Sequence, residues 1–144
     1  TGRSKAAVIS NRAIVAGGEK AALVVDLHSH AHPPAVYADG EAQVALGLAT
    51  GLPYIIRTRV NDALRAGKKL KVSQLSVACR TAGIQAMTIE LGPRIGAVTP
   101  DKVAHGVRAL RNLLIHQGML AGKPVLPDRV SILDPAGFLS LVTD

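Results

Sequence analysis

Residues 21–27 read AALVVDL, an apolar run broken only by Asp26. A strand with one wet face alternates apolar and polar side chains, whereas a strand covered on both faces reads as one apolar block. Such a block asks for a mostly parallel sheet flanked by helices. Two more blocks follow, PYII at 53–56 and QAMTI at 85–89, and residues 6–9 and 13–16 add two short candidates that could pair through Asn11-Arg12. Helical stretches lie between them. Residues 41–49 are good helix formers, closed by Gly51-Leu52-Pro53. Ser73 suits an N-cap and Gly83 the residue after a helix end. Thr99-Pro100-Asp101 sets a capping hydroxyl, a proline at the first helical position and an acid at the positive end of the helix dipole. Val103, Val107, Leu110 and Leu114 recur at helical spacing, which predicts that their face is buried, and Gly118 closes that helix. Strands alternating with helices give an α/β fold, with Ala21 to Leu27 and Gln85 to Ile89 expected as interior strands.

The chain's 144 residues match one ordinary domain or a large piece of one. A hydrophobic fraction of 48% excludes global disorder. No apolar run nears the roughly 18–20 residues that span a bilayer, so no membrane partner is expected. The single cysteine, Cys79, excludes a disulfide scaffold or a Cys-rich zinc module, and it favours a reducing, cytoplasmic setting. Aromatics are 2%, too few for a module that stacks bases, so no nucleic-acid partner is expected either. The net charge of +7 is uneven. Residues 57–71 hold six cations, Arg57, Arg59, Arg65, Lys68, Lys69 and Lys71, against Asp62, a surplus of five. That segment reads first as a solvated loop and second as a patch for anions. From Lys123 the texture changes, with Pro124, Pro127 and Pro135 between short apolar runs. Residues 1–122 are therefore read as one α/β domain and 123–144 as a linker opening a β-rich unit. The start at Thr1 and the apolar stretch 137–142 at the end suggest a trimmed piece.

The chemistry concentrates at strand ends. Asp26-Leu27-His28-Ser29-His30-Ala31-His32-Pro33 packs three of the five histidines into five residues at the end of the first block. Ligands of open α/β sheets bind outside the carboxyl ends of strands, and histidine is a common metal ligand. The bland alternative is a polar loop. Asp26 suits a supporting group that reaches a ring nitrogen, and His30 and His32 suit accessory ligands. Glu90, in Thr88-Ile89-Glu90-Leu91-Gly92, ends another block. A glutamate near a metal can accept the proton of metal-bound water; alone, it would be a solvated or capping group. Arg80, near a helix end, either favours the helix dipole or grips a substrate carboxylate. Cys79 beside it reads as a small buried residue.

VVDLHSHAHP, then ACRTAGIQAMTIELG, then GVRALRNLLIHQGML, taken in that order from Val24 to about Gly122, resemble the succinylglutamate desuccinylase/aspartoacylase family of zinc-dependent deacylases. The resemblance implies a zinc carboxypeptidase-like fold, zinc as cofactor and an acylated small molecule carrying a carboxylate as substrate. It implies His28 as a zinc ligand, Glu90 as the catalytic base and Arg80 as the residue that binds the substrate carboxylate. The family's His-x-x-Glu ligand pair upstream of the DLH strand has no counterpart, since His28 is the first histidine. The chain thus resembles the later part of a catalytic domain. Apolar surface uncovered in such a part predicts a homo-oligomer. Two other readings compete. One is a non-catalytic fragment that serves as an assembly module. The other is an amidohydrolase-type site using His28 and His30, which would need further ligands at later strand ends, whereas His105 and His116 fall on the long helix.

Overall fold

The computed structural model describes residues 23–29, 33–59, 66–67, 75–93 and 98–134. Along the chain these form β1 (Val24–His28), β2 (Ala35–Ala38), α1 (Glu41–Thr50), β3 (Tyr54–Arg57), α2 (Leu75–Thr81), β4 (Ala86–Glu90), α3 (Pro100–His116) and β5 (Ser131–Leu133). The strands make one sheet in the order β1-β4-β2-β3-β5. β3 runs parallel to both β2 and β5, with Ile55 opposite Val36 and Ile132. Val24 N–H donates to the Gln85 carbonyl and Leu91 N–H to the His28 carbonyl, each at 2.9 Å, so β1 and β4 also run in the same direction. The fold is α/β with a mostly parallel sheet. Among the described residues no helix is long and apolar enough to cross a membrane.

The chain divides into two compact units, Thr1–Asp26 with Arg59–Thr88, and Leu27–Thr58 with Ile89–Asp144. In the first, Cys79, Ile84 and Ala86 form a buried cluster against Val24 and Leu75. The buried Thr88 hydroxyl donates to the Ser76 hydroxyl at 2.8 Å, which satisfies two polar groups inside. In the second, Ala38, Val44 and Ile55 cluster with Val130. Gly47 lets α1 lie close on β3, since a Cβ there would stand 3.2 Å from Ile55 Cδ1.

A buried amide joins α1, α3 and the chain beyond. Asn112, 1% exposed, donates from Nδ2 to the Thr50 carbonyl at 3.0 Å and to the Val125 carbonyl at 2.8 Å. Its Oδ1 accepts the Val125 N–H at 2.9 Å. Gly51, which ends α1 at φ +72, lies beneath this latch: a Cβ there would come within 2.5 Å of the Val125 oxygen. Residues after Lys123 then reach β5, which adds to this sheet beside β3.

The expected helices over 41–49, after Ser73 and after Thr99 are α1, α2 and α3. Thr99 caps α3, its hydroxyl accepting the Lys102 N–H at 3.4 Å. The expected strands at 53–56 and 85–89 are β3 and β4, shifted by one residue. β4 is buried at every position and lies between β1 and β2, as an interior strand does. β1 differs: among the described strands it stands at the end of the order, and Leu27 is exposed. β2, only four residues behind Pro33-Pro34, had no distinct signal. The candidates at 6–9 and 13–16 lie outside the described residues, as do Ala21 and Ala22 of the first block.

The face of α3 requires a correction. Gly106, Ala109, Asn112 and Leu113 are its buried residues, while Val103, Val107 and Leu114 are exposed and Leu110 is half-buried. Small residues and one fully hydrogen-bonded amide let α3 pack closely, and the bulkier aliphatics face outward. Helical spacing finds an apolar stripe; it does not tell a stripe in the core from one that lines an open groove.

Candidate active site

His28 ends β1 and Glu90 ends β4, and because these strands are parallel both residues reach the same sheet edge. His28 Nδ1 lies 3.9 Å from Glu90 Oε1. That exceeds hydrogen-bond length, so the contact is electrostatic and becomes an ion pair only when the ring is protonated. The environments differ sharply: the Glu90 side chain is 4% exposed and the His28 side chain 45%. A buried carboxylate therefore faces an accessible imidazole, which can meet a ligand from solvent while Glu90 stands behind it.

The loops after both strands are tied together. The Ser29 hydroxyl donates to the Gly92 carbonyl at 3.2 Å. Gly92 holds φ +114, a conformation that disfavours a side chain, and it turns the chain away just past Glu90. Tyr37, half-buried on β2, which neighbours β4 in the sheet, also bears on the pair. Burial, and then the charge of Glu90, push the Tyr37 phenol up to about 12. Tyr37 thus presents a neutral O–H near the carboxylate across the physiological range. It went unnoticed in the sequence, where the only signal was the rarity of tyrosine.

A groove runs beside His28. Leu27, Leu91, Val98, Val103, Val107 and Leu110 give it apolar walls, Gly106 lies along it, and His28, Ser29 and Lys102 are its polar members. Its cavity volume is about 350 Å³. The Lys102 ammonium donates to the Pro93 carbonyl.

The remaining candidates are placed as follows. Asp26 and Arg80 belong to the first unit. Arg80, in the last turn of α2, donates from Nε to the Ser76 carbonyl at 3.2 Å. Cys79 is fully buried; burial, and then the Asp26 charge, raise its thiol pKa, which suits the inert residue expected. His30 and His32 lie outside the described residues. His105 and His116 are on α3. Of the basic segment, Arg57 pairs with Glu41 at 2.9 Å and Asp134 at 3.9 Å; Arg65, Lys68, Lys69 and Lys71 lie outside the described residues.

No family model matches the sequence, and no curated protein matches it. Solved structures do. The apo structure of the ectoine utilization protein EutE (DoeB) from Ruegeria pomeroyi is 27% identical, with a TM-score of 0.64, over 86% of this chain and 39% of that one. A succinylglutamate desuccinylase/aspartoacylase from Rhodobacter sphaeroides gives 24% identity and a TM-score of 0.56 over 77% of this chain and 33% of that one. A succinylglutamate desuccinylase from Silicibacter sp. TM1040 gives 23% and 0.59 over 85% and 36%. The chain has the succinylglutamate desuccinylase/aspartoacylase fold. It spans well under half the length of these relatives.

That fold raises the question of a metal. Among the described residues no three His, Cys, Asp or Glu side chains converge as ligands. A catalytic zinc usually takes three protein ligands and a water. His28, exposed and backed by a carboxylate, fits one ligand position of such a site.

Proposed function

We propose that this fold serves here as a zinc-dependent hydrolase, cleaving the amide bond of an N-acyl amino acid or a similar small molecule with a carboxylate. The observation that carries the reading is the His28–Glu90 pair, a 3.9 Å contact between an exposed imidazole and a buried carboxylate at two parallel strand ends. Support also comes from the structural likeness to desuccinylases and aspartoacylases. His28 would hold the metal, together with ligands beyond the described residues. Bound zinc polarises a carbonyl and lowers the pKa of water to about 7. Glu90 takes the proton from the attacking water and delivers it to the leaving amine. Tyr37 stays neutral beside it and leaves Glu90 as the group that accepts. The resemblance assigns Arg80 to the substrate carboxylate, and replacing it would raise KM.

Release of free amino acid from a panel of N-acyl amino acids, measured on the complete protein with zinc and after chelation, tests the proposal. Zinc-dependent release supports it; release that chelation leaves unchanged overturns it. One observation favours a second reading, a non-catalytic assembly module: the sequence carries no His-x-x-Glu pair to complete a site with His28. Zinc-loaded protein inactive on every amide would select that reading.

A further inference from the structure

The groove beside His28 extends along α3, and its lining is selective. Among the described residues its walls are six aliphatic side chains, and no Asp or Glu lines it. Val98, Val103 and Val107 are half or more exposed along it, an apolar surface that water covers at a cost. Gly106 is a buried residue in mid-helix, where glycine costs about 1 kcal/mol relative to alanine. A Cβ there would meet the Leu91 methyls at 3.4 and 3.5 Å, so glycine leaves the groove a methyl deeper. Lys102 to Leu110 follows α3 for about 12 Å at 1.5 Å per residue. Lys102, the one Lys or Arg among the described lining residues, lies in the first turns of α3, and His28 shares the same lining.

We propose that this groove binds the acyl half of the substrate, and that this half is an unbranched apolar chain rather than a second carboxylate. The inference rests on the hydrolase reading and deepens it. The chain lies along α3 against Leu91, Val103, Val107 and Leu110. The carbonyl end, which becomes the product carboxylate, lies toward the polar lining residues His28 and Lys102. Charge complementarity selects this occupant: among the described lining residues a lysine, no acid and an otherwise apolar wall suit a monocarboxylate with a hydrocarbon tail.

The test is a titration of the protein with acetate, butyrate, hexanoate and octanoate, read by the amide and methyl resonances of Val103, Gly106 and Val107. Burying a methylene contributes about 0.8 kcal/mol, roughly fourfold in affinity. Affinity should therefore climb roughly fourfold per methylene until the groove is full. Gly106→Leu should flatten the series. Gly106→Ala, which favours the helix while adding one methyl, should weaken octanoate and spare acetate, so the test survives if the larger variant fails to fold. Lys102→Met should weaken every member alike and keep the slope. A flat series in the unsubstituted protein overturns the proposal. So does a slope that survives Gly106→Leu, or a groove covered by a second copy, seen as a doubled sedimentation mass with no octanoate binding. Binding is read without metal or turnover. A flat series therefore leaves the hydrolase reading standing, and failure of zinc-dependent release leaves the binding result standing.

Discussion

Replacing Asn112 by alanine removes three hydrogen bonds at once, two donated to the Thr50 and Val125 carbonyls and one accepted from the Val125 N–H. Each bond contributes about 1 kcal/mol net, and a buried partner left unsatisfied costs roughly 1–3 kcal/mol. The partners are not equal. Thr50 is fully buried, so its carbonyl cannot regain water, whereas Val125 is 61% exposed and its peptide can be rehydrated. The loss should therefore come to about 2–3 kcal/mol rather than the larger sum for three stranded groups. Urea unfolding of both proteins measures it as a lower midpoint at constant m. Hydrogen exchange supplies the local check: the Val125 amide should lose protection, while the Ile89 amide in β4 changes only with global stability. Gly51→Ala should damage the same latch, because its Cβ would strike the Val125 oxygen in a backbone conformation that alanine avoids. A loss below about 0.5 kcal/mol for Asn112→Ala, or an unchanged Val125 amide, would refute the reasoning.

Three further outcomes are expected. The Tyr37 phenol rises from 10.0 to about 12 in the folded protein, so the stability of the buried neutral form is whole below pH 10 and is lost as pH rises through 12. Alkaline unfolding should be shallower in Tyr37→Phe, and equal slopes would count against the burial of that phenol. Isothermal titration of the 144-residue chain with zinc should show weak binding, since its sequence has no His-x-x-Glu pair to join His28. Tight stoichiometric binding would bring in His30 or His32, and His30→Ala would then weaken it. Met119, Leu120, Val125, Leu126, Ile132 and Leu133 are all exposed, which predicts self-association in sedimentation; a monomer across the accessible concentration range would contradict this.

Much of the fold was legible because its signals are local. Continuous apolar blocks marked β3 and β4, and Thr99-Pro100-Asp101 marked the start of α3 to the residue. What escaped depends on partners distant in sequence. The buried stripe of α3 is Gly106, Ala109, Asn112 and Leu113, and nothing local reveals that Asn112 finds Thr50 62 positions away. β2 is too short to carry a period, and with it Tyr37 was lost. At the site, His28 and Glu90 stood out as chemical groups at strand ends. Their 3.9 Å separation is a product of the parallel pairing of β1 with β4, which no spacing in the sequence encodes. In the sequence the groove shows only as an apolar helical stripe, a pattern it shares with a core face.

Under the proposed function, Glu90 moves the proton while His28 holds the metal. The most direct test is turnover and zinc content measured together on the complete protein and its Glu90→Gln variant. Losing a positioned general base costs roughly 10²–10⁴ in rate. In Glu90→Gln, kcat should fall by that factor while zinc content is unchanged, because the amide keeps the shape of the carboxylate and gives up only its ability to take a proton. Near wild-type turnover in Glu90→Gln, or zinc lost together with activity, would contradict it.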